Sequence, residues 1–373
     1  MRQLLALAFS LILFACDSES ATQTSTDTAK TAPKQSATSQ PSGQLQYDQE
    51  KNFKTIKQLT YGGDNAEAYF SFDNSKLVFQ ASNEKWDAPC DQIFMMPLTG
   101  TDKGAKPPLL STGKGRTTCS YFMPGDSTVL YASTHLANAA CPDAPRTVDG
   151  KYVWPIFESF DIFVSDLSGK IVKQLTKDPG YDAEATLSPD GKMIVFTSMR
   201  SGDLELYTMD IDGNNVKQIT SGLGYDGGAF FSPDGKKLVF RSSRPKTDEE
   251  VQAYKSFLER GLVQPTNMEI YTCNIDGSNL KQITHLGKAN WAPYYHPNGK
   301  TILFSTNHHK PSGRIFNIFS INEDGSDLKQ ITFDDTFDAF PMFSYDGKYL
   351  AFSSNRNNGG TRDTNVFLAE WQD

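Results

Sequence analysis

Short apolar runs alternate with turn residues along residues 47–373, and the runs are too brief for helices. The pattern reads "YDAEATLSPDGKMIVFTSMR" from Tyr181, "YDGGAFFSPDGKKLVFRSSR" from Tyr225 and "FDAFPMFSYDGKYLAFSSNR" from Phe337. In one copy, Pro189 fixes φ, Asp190 bonds the local backbone and Gly191 permits positive φ, so a tight turn is expected there. The Val, Ile, Phe and Tyr on either side read as strands. A third run follows, "ELYTMD" at Glu205 or "EIYTCN" at Glu269, and then Asp-Gly.

"KQLT" or "KQIT" opens at Lys57, Lys173, Lys217, Lys281 and Lys329, and "PPLLST" at Pro107 reads as a degenerate sixth copy. Three strands per unit and a fourth at each KQ[LI]T make a four-stranded module recurring at roughly 45 to 65 residues, which predicts an all-β, six-bladed β-propeller. Units begin near Asn65, Thr117, Asp182, Asp226, Asn290 and Asp338. The last unit, ending "NVFLAEW", has no fourth strand after it. "TIKQLT" at Thr55 is therefore expected to complete the sixth blade, so that N- and C-terminal segments close the ring and no edge is left open.

These repeats, with KQ[LI]T and the terminal Asp-Gly, resemble those of the TolB family over roughly residues 53–373. The resemblance implies a periplasmic propeller used for binding or scaffolding. TolB carries a folded α/β domain ahead of its propeller; here residues 17–46 are Ser/Thr/Gln/Ala-rich and read as a flexible tether. The domains are therefore taken as a signal peptide over 1–15, a lipidated cysteine and tether over 16–46, and the propeller over 47–373.

The signal reading rests on "MRQLLALAFSLILFAC", where Arg2 precedes an apolar run and Ala15 precedes Cys16. A run of about 11 apolar residues is too short to span about 30 Å of hydrocarbon. Cleavage before Cys16 and lipidation of its sulfur are expected, giving an envelope protein held to the membrane by lipid alone and facing the periplasm, on either membrane. The net charge of -8, with no Lys/Arg run, argues against a nucleic-acid partner. The partner is expected to be an envelope protein or glycan, and a closed ring is expected to be monomeric. Cys90, Cys119 and Cys141 all map near blades one and two, so one disulfide among them is expected, with the pair left open. Cys273 reads as a buried thiol.

Blade geometry places the connections between second and third strands on one face, together with the starts of the first strands. Those connections are long at 135–160 and 245–268, and that face is the candidate functional surface. "KTDEEVQAYKSFLERG" within the second is expected to be helical, capped by Thr247 and ended by Gly261. Aligning the repeats puts Asn65, Thr117, Asp182, Asp226, Asn290 and Asp338 in a polar ring, with Glu67, Cys119, Glu184, Gly228, Ala292 and Phe340 two residues on. Strand ends carry His135, Arg200, Arg244, His308 and Arg356. Asp182, Asp226, Asp338, Asn290, Arg200, Arg244, Arg356, His135, His308, Trp86 and Trp154 are the candidate ligand contacts. The competing reading is architectural: Asp caps backbone amides, and Ser-x-Arg ties strands together.

No GxSxG, HExxH or phosphate loop is present, and "GLGYDG" at Gly222 lacks a following helix. "DIDGNN" and "NEDGSD" read as turns, since a calcium loop would need a late Glu. The leading reading is a non-catalytic binding propeller without cofactor. The alternative is a glycoside hydrolase or uronate lyase, with Glu67 and Glu184 as acid and base, Trp86 or Trp154 stacking on sugar, and His135, His308 and His309 as ligands to a divalent metal in the lyase form; resemblance to oligogalacturonate lyase suggests it.

Overall fold

The structure, a computed structural model, describes residues 43–310 and 315–373. Cys16 and the proposed signal lie outside the described residues. Those described form six antiparallel blades. Blade 2 is Thr117–Phe122, Thr128–Ser133, Asp161–Asp166 and Ile171–Gln174; blade 3 is Asp182–Leu187, Met193–Ser198, Glu205–Asp210 and Lys217–Gln218. Blade 4 is Asp226–Phe231, Lys237–Ser243, Met268–Asn274 and Lys281–Gln282; blade 5 is Asn290–Tyr295, Thr301–Thr306, Asn317–Asn322 and Lys329–Gln330. Blade 6 joins both ends of the ring: Asp338–Phe343, Tyr349–Ser354 and Asn365–Trp371 are completed by Phe53–Gln58, with Phe53 opposite Trp371 and Gln58 opposite Phe367. Blade 1 has three regular strands, Asp64–Phe70, Lys76–Asn83 and Ala88–Pro97, and "PPLLST" supplies its fourth through a bridge between Phe94 and Leu109.

Each part of the repeat has a mechanical task. The threonine of KQ[LI]T accepts a backbone N–H from the third strand of its own blade, at Thr60, Thr176, Thr220, Thr284 and Thr332, and Ser111 does the same in the degenerate copy, all at 2.8–3.0 Å. That bond fixes the outermost strand, where the ladder is only two residues long in several blades and would fray. In the Ser-Pro-Asp-Gly-Lys turn, Ser188 Oγ donates to Asp190 and accepts from Met193 N–H. Gly191 there has φ +69°, and a Cβ would fall 2.4 Å from Pro124 of the preceding blade. The aromatics ending "IVF" and "LVF" fill the space between blades: Phe79, Phe196, Phe240, Phe304 and Phe352 are almost fully buried.

Beyond the closing strand, the chain before it also docks. Tyr47 O–H donates to Asp334, and Arg356 donates to the Leu45 carbonyl and to the carboxylates of Glu50 and Asp338, each at 2.8 Å. Leu45 and Gln46, placed in the tether by composition, are thus hydrogen-bonded to the propeller.

The third strand of blade 3 starts at Glu205, 2% exposed, which accepts from Thr220 Oγ and from Gly222 N–H. Burial raises its pKa to about 7, with the Asp226 charge adding to the effect. A raised folded-state pKa means that Glu205 supports folding below the ordinary carboxylate range and that this support disappears as pH climbs through about 7. Glu205→Gln is therefore expected to flatten the pH profile. Urea unfolding at pH 5 and pH 8 should show wild type losing roughly 2 kcal/mol more than the variant over that interval. Parallel profiles would refute the assignment.

Candidate functional site

The insertions from blades 2 and 4 meet over one face. Trp154–Pro155 pairs antiparallel with Leu262–Val263. Just before the latter lies the expected helix, α1 (Asp248–Leu258), whose N-cap Thr247 and Glu250 form a reciprocal capping box. The disulfide joins Cys90 to Cys141, tying the blade 2 insertion to blade 1, while Cys119 is free.

Beneath this roof lies a cavity of about 500 Å³. Its walls depend on one backbone feature repeated in every blade. Each first strand slips register after its second or third residue, and the residue at the bulge is left-handed, φ 44–58°: Glu67, Cys119, Glu184, Gly228, Ala292 and Phe340. A bulge re-aims a side chain, and here all six positions line the cavity. Two residues further on, Tyr69, Tyr121, Phe230 and Tyr294 pack against one another, with Tyr69 stacked 5.9 Å from Phe230 of the opposite blade. This aromatic plug stops the channel, so the cavity is a dead end.

Four donors fill the carboxylate of Glu184: Arg241 and Tyr225 O–H on one oxygen, Thr197 Oγ and Gly228 N–H on the other, the last two at 2.7 and 2.8 Å. Burial alone would raise its pKa, but Arg241 and the hydrogen bonds bring it below the usual range. Glu67 has the opposite balance. Burial raises it, Glu184 adds repulsion, and its contacts are the Cys119 thiol at 3.0 Å and Tyr69 O–H at 3.2 Å. Burial and Glu67 push the Cys119 thiol upward as well, so it stays protonated. Aromatic rings line the apolar side: Trp154 lies 5.0 Å from Trp291, and Tyr181, Phe157, Phe337 and Phe340 complete it.

Of the residues singled out by sequence, Glu67, Glu184 and Trp154 come together in this cavity. Of the polar ring, Asn65 and Thr117 line it and the other four do not. Asp182, Asp226 and Asp338 are at most 1% exposed and pair within their own blades with Arg200, Arg244 and Arg356, at 2.9, 2.6 and 2.8 Å. Asn290 is buried and holds the Met268 carbonyl and Thr306. A strand's first residue sits before the bulge, so its side chain keeps the sheet's alternation and faces the blade. The structure therefore places these seven in the architecture. His135 packs 4.4 Å from Phe163 and His308 4.8 Å from Phe319, away from the cavity lining, and burial lowers both pKa values. Trp86 is 2% exposed in the core of blade 1, against Phe94. Among the described residues no cluster of His, Cys, Asp and Glu is arranged to hold a metal.

Sequence reading missed Arg241. Its counterparts in the other blades are Gln80, Ala132, Thr197, Ser305 and Ser353, and the one blade with Arg on the second strand is the one with Gly at the bulge. A Cβ on Gly228 would lie 1.9 Å from Arg241 Nη1, so the guanidinium occupies the place of the missing side chain. The paired exception was the available signal.

Residues 157–255 match the family described as the TolB beta propeller domain. Within that stretch the repeats are of the TolB propeller type. A protein assigned as TolB from Agrobacterium tumefaciens has the same fold: TM-score 0.53, 18% identity, over 83% of this chain and 91% of that one. TolB from Acinetobacter baumannii gives 0.48 at 20% identity over 84% of this chain, which spans 65% of that longer protein. An oligogalacturonate lyase solved in complex with manganese gives 0.45 at 13% identity, over 85% and 93%. No curated protein matches significantly.

Proposed function

We propose that this TolB-type propeller is a non-catalytic binding protein of the bacterial envelope, anchored through Cys16, whose dead-end cavity receives part of a protein partner. The observation that carries the reading is the state of Glu184. A general base or nucleophile needs a free lone pair aimed at substrate, and all the bonding capacity of this carboxylate is taken by four donors. What the cavity offers instead is aromatic surface, which is the usual anchor of protein recognition. The Cys90–Cys141 disulfide supports an oxidising compartment.

The enzymatic alternative, action on an envelope or uronate-containing glycan, keeps one observation in its favour. Two carboxyls in one cavity have pKa values pushed apart, Glu67 up and Glu184 down, as an acid/base pair requires. The two readings separate in a cross-linking pull-down from native envelopes, comparing the intact protein with Trp154→Ala/Phe340→Ala after confirming that both fold. A protein partner recovered by the first and reduced at least tenfold with the second is the expected result. Equal recovery, or glycan turnover abolished by Glu67→Gln, would overturn it.

A further inference from the structure

Arg241 is unlike Arg356, the other buried arginine among the described residues. Arg356 has every side-chain nitrogen bonded to Ser354, Leu45, Glu50 or Asp338. Arg241 is 7% exposed, yet its protein acceptors, Glu184 and Tyr225 O–H, both fall on Nη2. Its Nε is buried with no partner, and neither of those two acceptors uses Nη1. A guanidinium has five N–H donors, and leaving several unsatisfied in a buried place is costly unless something else accepts them.

The surroundings place the unused Nη1. Rings of Trp154 and Tyr225 lie 5.2 and 4.9 Å from the guanidinium carbon. Nη1 stands where the bulge side chain of blade 4 would project, in the ring that lines the cavity. Next round that ring, in blades 5 and 6, are Ala292 and Phe340, and Trp291 and Phe337 also line the cavity. An anionic oxygen beside an apolar group fits this arrangement, and a carboxylate supplies one for a charge-assisted bond to a guanidinium N–H.

We propose that the cavity captures the free C-terminal carboxylate of a partner chain, with Arg241 as the reading residue and the Ala292–Phe340 wall receiving an apolar last side chain. The dead end selects a terminus: Tyr69 and Phe230 close the channel, so a chain can enter but not thread through. At the bulge ring neither acid suits an amino terminus, since Glu184 is already fully bonded and Glu67 is held towards its neutral form. Terminal carboxylate capture is an established mode of peptide recognition. This deepens the binding reading above and depends on it.

A small apolar acid shares the chemistry, so the test separates the sources. Calorimetry on the folded protein would use an N-acetylated glycine-serine hexapeptide ending in phenylalanine, its C-terminal amide, and 3-phenylpropionate. The expected result is at least tenfold tighter binding of the acid than of the amide, a preference that falls below twofold in Arg241→Gln and is partly kept in Arg241→Lys. Because Arg241→Gln leaves Glu184 unpaired, Arg241→Gln/Glu184→Gln removes both charges and serves if the single variant does not fold. Equal binding of acid and amide, no binding of the acid at millimolar concentration, or phenylpropionate matching the peptide would each overturn the proposal. If Arg241→Gln still recovers the envelope partner that Trp154→Ala/Phe340→Ala loses, the carboxylate assignment falls while the binding reading stands.

Discussion

Arg356→Ala is expected to cost about 3–5 kcal/mol, the range for breaking a buried ion pair from one side. The side chain is wholly buried among Tyr47, Phe352 and Phe367 and holds Glu50 and Asp338, themselves inaccessible. Without it, two carboxylates face each other in the place where the two ends of the chain are joined. Burial raises the Glu50 pKa even with Arg356 present. Taking away the cation would raise it further, so protonation would favour the folded variant, and its deficit should shrink as the medium is made more acidic. Arg200→Ala provides the contrast, because Arg200 is 18% exposed and one of its partners, Asp178, is 63% exposed. Denaturant midpoints of both variants against wild type decide this, and equal losses would refute the special status of the closure.

Gly228→Ala is expected to lower stability by about 3 kcal/mol through displacement of Arg241 from Glu184, with a smaller contribution from an alanine at positive φ. The backbone itself tolerates alanine here: Ala292 occupies the equivalent bulge at φ +46°. The loss should therefore depend on Arg241. In an Arg241→Ser background, Gly228→Ala should cost under about 1 kcal/mol, and the coupling in that double-mutant cycle measures the packing of guanidinium against glycine. Additive effects would contradict the account. Peptide capture should fail in Gly228→Ala even where the protein remains folded.

The architecture was legible because it is written repeatedly. Ser-Pro-Asp-Gly-Lys, the apolar runs and KQ[LI]T each have a local physical cause, so their order gives strands, turns and the ring closure at Phe53–Gln58. Even the degenerate copy was readable, since Ser111 keeps the hydroxyl that Thr176 or Thr220 supplies elsewhere. For the recurring acids the cavity was read two positions out of place. Alignment brought the recurring Asp182, Asp226 and Asp338 to the channel mouth, but recurrence there reflects a blade-internal ion pair. Strand periodicity alone does not reveal the bulge, which turns Glu67 and Glu184 inward while leaving the preceding Asp buried. Leu45 and Gln46 were placed in the tether because "QLQ" is polar, whereas the buried Arg356 holds the Leu45 carbonyl and Gln46 donates to Phe53.

The central claim is that ligand enters by the roofed face above Glu184 and Arg241. Site-specific photo-cross-linking in native envelopes tests it directly, with the probe placed at Tyr152, exposed on the roof beside Trp154, or at Asn298, in an exposed turn on the opposite face. The account expects a discrete protein adduct from position 152, abolished by Trp154→Ala, and none from position 298. Adducts from position 298 alone would contradict it and move the binding surface to the other side of the ring.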